Sequence, residues 1–438
     1  MPSLFALVVA RLYYLNIFLF IFILFFYLYG VHFTFLPTYT SRLIVFAAWV
    51  YLALLFLTKK SIAAPIELVT IGLLYFLYLA WVLAISAVYG FADISVLVST
   101  VLLFLHAFVG GIFFAVIFKK MNFTFRQVIL VVQVVIVAQA FFILLYFISW
   151  DFREFTFAYI PEGGNIDHRE NLFRSRGLTH GSSATLSLIQ SMGFLFTAYL
   201  VATVHYRSKQ FIYLVLSFGL IFLSVFLTGR TGLLMIPVAI FYLFALLVLR
   251  QRISKNSVYF VLGVPVAAAL LFVLLRLGYQ YVLGGFSTAW GEDGFDRLIR
   301  WVVGEFFGSD GQVQSRTMQI LSSHWFFPEA WHLFFFGDPT TWSLNRIPSD
   351  IGIVRLWHGV GLVGMLMLYA LFVLVFLMSI LKARGTEAKL MLAMLAVFLF
   401  IAEAKEPFLS NLNVNVFIIL IFCYLMVSDR ADRNRKSV

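Results

Sequence analysis

The chain is poor in the residues that build soluble domains, disulfide frameworks and metal sites. Charged residues make up 12% of its 438 residues, against about 25% in a typical soluble domain. It has one cysteine, Cys423, which excludes an internal disulfide and a zinc-finger type of metal site. It also lacks a Walker loop, a dinucleotide fingerprint and the spacing of a calcium loop. The sequence therefore predicts neither a cofactor nor a bound metal.

Apolar residues are abundant instead: 63% of the chain is hydrophobic and 18% is aromatic. Apolar runs of about 20 residues recur from end to end, long enough to cross a ~30 Å hydrocarbon core as helices. We predict an all-α polytopic membrane protein, with residues 1–438 forming a single integral membrane domain. The twelve predicted spans are 13–30, 43–58, 66–89, 95–117, 128–149, 184–204, 211–227, 232–249, 258–276, 352–380, 389–404 and 414–427.

The distribution of charge predicts an orientation. Of the 31 basic residues, 18 fall in short segments on one set of connections. By the positive-inside rule this face, with both termini, is cytoplasmic. The basic tail, Arg430–Lys436, is interpreted as an orientation and lipid-headgroup anchor, with no nucleic-acid partner.

Two long polar loops, 150–183 and 277–351, are predicted on the opposite face. Long loops with their own patterning are usually functional. The second carries helical periodicity and aromatic stretches, which indicate short helices that lie on the membrane or cover a cavity. We predict that the two loops together form a cap over an active site.

Arginines on this outer face predict an anion-binding site. Arg174 and Arg176 precede the sixth span, Arg230 lies in a tight turn, Arg300 is in the large loop, and Arg355 is one turn into the tenth span. A guanidinium group stays charged, and its planar fork matches two phosphate oxygens. A lipid pyrophosphate would suit such a set. The alternative is that these arginines reach lipid headgroups or pair with loop carboxylates.

Asp350, His358 and His180 are the candidate general bases. A sugar hydroxyl that attacks an activated anomeric carbon must lose its proton, and a carboxylate or imidazole can accept it. Asp350 could instead pair with Arg355, and His358 could be a hydrogen-bonded core histidine.

Two further polar clusters are interpreted as structural. Glu403, Lys405 and Glu406 stand at the outer end of the eleventh span, where pairing among themselves is the favoured role. The acidic stretch 292–296 is interpreted as a solvated turn rather than a metal site.

Three motifs resemble the bacterial Wzy-type O-antigen polymerases and the related O-antigen ligases. Arg174-Ser-Arg-Gly-Leu-Thr-His is similar to the family's R-x-x-G segment at the end of a periplasmic loop. Phe226-Leu-Thr-Gly-Arg-Thr-Gly resembles its glycine–arginine turn. Phe336-Gly-Asp-Pro, followed by Ser349-Asp-Ile-Gly-Ile-Val-Arg and Gly361-Leu-Val-Gly, resembles its F-G-x-G, D-x-G and G-L-x-G stretch. The resemblance covers about residues 170–370.

One departure bears on the reaction. The ligases typically carry a histidine where this chain has Asp350, and His358 is displaced by two helical turns. The resemblance therefore favours a polymerase over a ligase. A lipid-linked oligosaccharide flippase is a further alternative, but its repeats and midplane charges are not found here.

The resemblance implies a GT-C-like glycosyltransferase of the bacterial inner membrane with a periplasmic active site. Such an enzyme transfers a growing glycan from undecaprenyl pyrophosphate to the sugar of a lipid-linked repeat unit. The family is metal-independent. Its implied partners are the undecaprenyl-pyrophosphate-linked oligosaccharide, the lipid bilayer, a Wzz-type chain-length regulator and a flippase.

Overall fold

The protein is all-helical in the part of the chain that the computed structural model describes. That part comprises residues 4–58, 64–161, 175–179, 184–203, 208–229, 231–250, 263, 273, 323–342, 349 and 351–436, and it contains no strand. The α-helices are α1 Leu4–Tyr29, α2 Thr40–Thr58, α3 Ile66–Val88, α4 Ser95–Leu102, α5 Gly110–Lys120, α6 Phe125–Ile148, α7 Trp150–Tyr159, α8 Ala184–Thr203, α9 Ser208–Thr228, α10 Met235–Arg250, α11 Trp331–Phe336, α12 Gly352–Lys382, α13 Thr386–Ala402 and α14 Leu412–Lys436.

Within the described residues, eight helical stretches are long and apolar enough to cross a membrane, as expected of a multi-pass membrane protein. They are α2, α3, the continuous stretch from α4 to α5, α6, α8, α9, α10 and α12. Helices α1, α13 and α14 also lie at predicted spans. The span predicted at 258–276 lies outside the described residues, apart from two isolated positions.

Successive membrane helices run in opposite directions, so their connections fall alternately at the two ends of the bundle. At the end that we call the loop end lie segments 30–39, 89–94, 149–161, 175–179, 323–342 and 403–411. The opposite end, the turn end, holds the short connections 121–124 and 383–385. Two hydrogen bonds link separate loops at the loop end: Thr34 N donates to Tyr159 O at 2.8 Å, and Tyr89 Oη donates to Gly337 O at 3.1 Å. Both predicted cap loops therefore begin or end at one end of the bundle.

Basic residues predicted for the short connections lie at the turn end. Lys119 and Lys120 end α5, Arg126 begins α6, and Lys382 ends α12. Lys382 forms an ion pair of 2.6 Å with Glu67 in the first turn of α3. This pair ties α3 to α12 at the turn end.

Helix α8 occupies the centre of the bundle, and every residue from Leu186 to Val201 is buried. Its polar side chains bond to neighbouring helices: Gln190 Nε2 donates to Tyr29 Oη at 2.9 Å, and Gln133 Nε2 donates to Thr197 Oγ1 at 2.6 Å. Hydrogen bonds of this kind satisfy polar groups that lipid cannot. Because α8 starts at the loop end, the residues that precede it enter the middle of that end.

The fourth predicted span is not a uniform α-helix. Residues Leu103–Val109 form a π-helical segment between α4 and α5. His106 is buried in it, and its backbone carbonyl accepts a hydrogen bond of 2.9 Å from Tyr27 Oη. The same carbonyl also accepts from the backbone N–H of Gly110, so Tyr27 is a second donor that ties α1 to the π-helical segment.

Helix α12 is broken at Gly361, where φ is 70° and ψ is 173°. A continuous 31-residue helix would be ~46 Å long, far more than the ~30 Å hydrocarbon core. The break leaves 362–382 to span the core and separates 352–360 as a short helix at the loop end. The span predicted over 352–380 coincides with this helix, but the break at Gly361 was not predicted.

Candidate functional site at the loop end

Arg355 lies on the short first part of α12, beside Trp342. Its Nη2 donates to Trp342 O at 3.1 Å, and its guanidinium carbon lies 5.7 Å from the centre of the indole ring. Gly359 makes this packing possible, because a Cβ at that position would lie 2.6 Å from a Trp342 ring carbon. The side chain of Arg355 is only half-buried, so a cation with a fixed position is accessible at the loop end.

His358 follows Arg355 by almost one turn of the same helix. Its Nε2 lies 3.3 Å from Phe326 O, and its ring packs edge-on against Phe326 at 5.4 Å between centroids. A contact to a carbonyl requires the proton on Nε2, which leaves Nδ1 of the neutral imidazole as the proton acceptor. The histidine is half-buried, so this contact is compatible with both predicted roles, core residue and base.

Hydrogen bonds to backbone carbonyls hold the aromatic segment 323–342 along the short helix 352–360. Asp338 N donates to His358 O at 2.7 Å, and Trp357 Nε1 donates to Phe334 O at 2.9 Å. Trp81 of α3 donates to Val360 O at 3.0 Å, which satisfies a carbonyl that the break leaves without its helical partner. The segment includes α11 and so places a short helix in the second predicted cap loop, as expected.

The turn 403–411, between α13 and α14, packs against the first turn of α12. Glu403 is buried, and its backbone carbonyl accepts a hydrogen bond of 3.1 Å from Gly352 N. Its carboxyl group accepts from Leu409 N at 2.8 Å and from Tyr369 Oη at 3.4 Å. Gly352 is required here, because an added Cβ would lie 2.7 Å from atoms of Glu403 and Glu406. Glu403 thus holds the start of α12 in place.

Burial raises the pKa of the Glu403 carboxyl from 4.5 to about 8, because the charged form loses its hydration. The backbone N–H groups of Leu409 and Phe408 lower the pKa and offset part of this effect. At neutral pH the folded protein therefore holds this carboxyl group mainly in its protonated form.

The free energy of unfolding is expected to fall as the pH rises from about 5 to about 8. Over that range Glu403 retains its proton in the folded protein, with a pKa of about 8, and has lost it in the unfolded chain. The stabilisation is complete below the unfolded pKa and is lost as the pH passes through the folded pKa. Glu403→Gln stays neutral, so its thermal unfolding in detergent should depend less on pH. Parallel profiles for the two proteins would contradict the assignment.

Arg176 is fully buried, and backbone carbonyls occupy its guanidinium group. Its Nη2 donates to Thr156 O at 3.2 Å and to Ile160 O at 3.1 Å, at the carboxyl end of α7. A cation at a helix carboxyl end is favoured by the helix dipole. The guanidinium carbon also lies 5.1 Å from the Phe157 ring centre. For Arg176 to bind a pyrophosphate, its guanidinium group would have to become exposed and give up its hydrogen bonds to Thr156 O and Ile160 O.

The other predicted site residues, Arg174, His180, Arg230, Arg300 and Asp350, lie outside the described residues. The residues that flank four of them are described. Ser175 N donates to Leu227 O at 3.0 Å, next to the turn that precedes α10. Thr231 Oγ1 accepts a hydrogen bond of 2.6 Å from Lys405 Nζ.

Hydrogen bonds connect the described segments that flank predicted site residues, although these segments are far apart in sequence; the turn before α10 and the start of α12 are joined through the turn 403–411. The bonds that join them are Ser175 N to Leu227 O, Lys405 Nζ to Thr231 Oγ1, Gly352 N to Glu403 O, Arg355 Nη2 to Trp342 O and Asp338 N to His358 O. The described parts of these segments therefore lie together at the loop end. Among the described residues, no group of three histidine, cysteine, aspartate or glutamate side chains could hold a metal ion.

Sequence reasoning missed two contributions to this site. Trp342, under Arg355, has no pattern that marks it among nine tryptophans. Lys405 was interpreted as part of a structural pairing with Glu403 and Glu406; its bond to Thr231, 174 residues away, was not predicted. The available signal was a lysine on the face where basic residues are scarce.

In comparisons with known proteins, no protein-family model, no curated protein and no solved structure matches this chain.

Proposed function

We propose that the protein is a Wzy-type polymerase of lipid-linked polysaccharide repeat units, a glycosyltransferase of the GT-C-like kind. The observation that carries the proposal is the meeting of the arginine-bearing segments at one end of an apolar helix bundle. A lipid-linked substrate has a prenyl chain that belongs in the bilayer and a pyrophosphate that belongs at its surface. A cation site at the end of membrane helices matches both parts.

In the proposed reaction, a hydroxyl oxygen of the incoming repeat unit attacks the anomeric carbon of the growing glycan. A new carbon–oxygen bond forms, and the bond between that carbon and the phosphate oxygen breaks. The leaving group is undecaprenyl pyrophosphate, which takes the electron pair, and the hydroxyl proton passes to a base. Fixed cations stabilise the negative charge that develops on the leaving group.

Arg355 is the described residue best suited to this role, because it is partly exposed and held by Trp342. Arg174, Arg230 and Arg300 complete the proposed pyrophosphate site. Arg176, whose guanidinium group bonds to carbonyls of α7, fits a different task in the same site. It orders the segment that carries Arg174.

Asp350 is the proposed base, with His358 and His180 as the other candidates. Asp350 precedes Gly352, whose backbone is held by Glu403. General-base catalysis depends on the positioning of the base, and the fixed start of α12 supports the choice of the residue that precedes it. His358 stands two turns further along, and its Nδ1 is the nitrogen available to accept a proton.

The proposed location is the bacterial inner membrane, with the loop end in the periplasm and the turn end in the cytoplasm. The basic residues at the turn end support this orientation by the positive-inside rule. The bilayer, the lipid-linked repeat unit, a chain-length regulator and a flippase are the proposed partners.

The test is a gel of surface polysaccharide from a bacterial strain that lacks the gene. A polymerase predicts a ladder reduced to core plus one repeat, with recovery on complementation. Bare core with long chains on the lipid carrier would identify a ligase instead. Loss of every glycan from the outer face, with repeat units retained inside, would identify a flippase.

Replacement of Arg230 by alanine is expected to leave the protein in the membrane but limit the glycan to a single repeat. Arg230→Lys should be partly active, because the charge survives and the two-pronged donor does not. The gel profile of each variant, with the membrane level of the protein as control, measures the effect. Normal long-chain ladders for Arg230→Ala would contradict the role of this arginine.

A further inference from the structure

Lys405 stands in the turn 403–411, at the junction of two segments of the proposed site. Its Nζ donates to Thr231 Oγ1 at 2.6 Å, and Thr231 is buried directly after position 230. The lysine side chain is itself only half-buried. The ammonium group is therefore hydrogen-bonded to the buried Thr231, on a side chain that is partly exposed to solvent.

The same turn is in contact with the start of α12. Glu403 O accepts a hydrogen bond from Gly352 N at 3.1 Å, and Glu406 O would lie 2.7 Å from a Cβ added to Gly352. The backbone on both sides of Lys405 thus packs on the first turn of the helix that carries Arg355. Lys405 lies between the turn that contains position 230 and the helix that contains Arg355.

The described cations at the loop end differ in their surroundings. Arg153 and Arg176 are buried, and their guanidinium groups bond to backbone carbonyls. Arg355 and Lys405 are the two that combine partial exposure with a hydrogen bond to a neighbouring segment. An ammonium group binds phosphate as a point charge, whereas guanidinium binds through its fork. The two residues are therefore complementary rather than redundant.

We propose that Lys405 is a further phosphate-binding residue, which contacts the pyrophosphate of the lipid-linked donor together with Arg355. This inference rests on the proposed function, since it assigns Lys405 to the same substrate. Thr231 acts as a positioning residue, because its hydroxyl group holds the ammonium group between the two segments.

The test uses the purified full chain in detergent and measures binding of farnesyl pyrophosphate, with farnesol as the uncharged control. Lys405→Gln is expected to weaken binding of farnesyl pyrophosphate about tenfold, which corresponds to ~1.4 kcal/mol. Binding of farnesol should not change. Lys405→Arg should retain most of the affinity. Lys389→Gln, an exposed lysine at the other end of α13, is the matched control and should bind like the wild type.

Thr231→Val provides a second variant, which keeps the ammonium group and removes its anchor. Its expected effect is a smaller loss, about threefold, since only the positioning is disturbed. If thermal unfolding shows that Lys405→Gln does not fold, the affinity of Thr231→Val for farnesyl pyrophosphate tests the role of Lys405 instead.

The outcomes separate the two proposals. A wild type that binds farnesyl pyrophosphate no better than farnesol would overturn the proposed donor, and Lys405 with it. A wild type that prefers the pyrophosphate, with equal affinity in folded Lys405→Gln and Thr231→Val, would overturn the role of Lys405 alone. An equal loss in Lys389→Gln would also overturn it, because the effect would then be one of net charge.

Discussion

Replacement of Gly361 by alanine is expected to prevent stable folding. At Gly361 φ is 70° and ψ is 173°, a region that is essentially restricted to glycine, with a cost of about 1–3 kcal/mol for other residues. A Cβ there would also overlap the backbone of Phe335 and Phe336, which α11 holds in place. These atoms are backbone and cannot rotate away. The free energy of unfolding is expected to fall by more than ~3 kcal/mol, or the variant does not fold at all.

Gly90→Ala is the matched control for this experiment. Gly90 also has a positive φ, of 60°, but nothing lies within 4 Å of the position of an added Cβ. The free energy of unfolding of Gly90→Ala should fall only by the cost of a positive φ for alanine, about 1–2 kcal/mol. The yield of monodisperse protein in detergent and its thermal unfolding midpoint measure both variants. Equal midpoints for Gly361→Ala and Gly90→Ala would contradict the backbone contact between the break and the aromatic segment.

Arg355→Ala is expected to lower turnover of a lipid-linked repeat unit by at least ~100-fold, if the proposed function holds. Loss of one fixed donor to a developing oxyanion typically costs a factor of ~10²–10³ in rate. Arg355→Lys should recover part of the rate, because the charge remains but the hydrogen bond to Trp342 O is lost or displaced. The measurement is polymer length and initial rate with purified protein and lipid-linked repeat units.

A matched control distinguishes a local effect from a change in net charge. Arg126 is an exposed arginine at the start of α6, at the turn end, so Arg126→Ala should polymerise normally. Thermal unfolding of Arg355→Ala shows whether the segment 323–342 stays attached. Wild-type rates in a folded Arg355→Ala variant would remove Arg355 from the mechanism.

Prediction from the sequence succeeded where the physical cause is local. Transfer of an apolar run into lipid depends on the composition of that run, so α3 was predicted within one residue, 66–89 against Ile66–Val88. The ends of α6 and α9 also lie within a few residues of their predicted spans. The separation of basic residues between the two ends follows from the same alternation of helices. The location of Arg355 and of segment 175–179 at the same end of the bundle follows less directly, from membrane topology.

The features that were not predicted from the sequence depend on contacts between distant segments. The run Gly352–Lys382 holds four glycines, and the sequence does not show which of them breaks the helix; the break falls at Gly361, against which Gly337 packs. The buried state of Arg176 depends on the carboxyl end of α7 and the two residues after it: Thr156, Ile160 and Pro161 supply three carbonyls within 3.5 Å. No periodicity within residues 174–180 carries that information.

The sequence by itself determined that this is a multi-pass helical membrane protein, because partition into lipid is a property of each segment taken alone. It also determined that cations stand at the end opposite to most of the basic residues. Only the tertiary structure decided which of the described cations remain accessible. The guanidinium group of Arg176 is buried and bonded to backbone carbonyls. Arg355 and Lys405 are partly exposed, and each donates a hydrogen bond to a residue of another segment, Trp342 and Thr231 respectively. The physical reason is that burial and hydrogen bonding of a side chain are set by the segments packed around it, and these come from elsewhere in the chain.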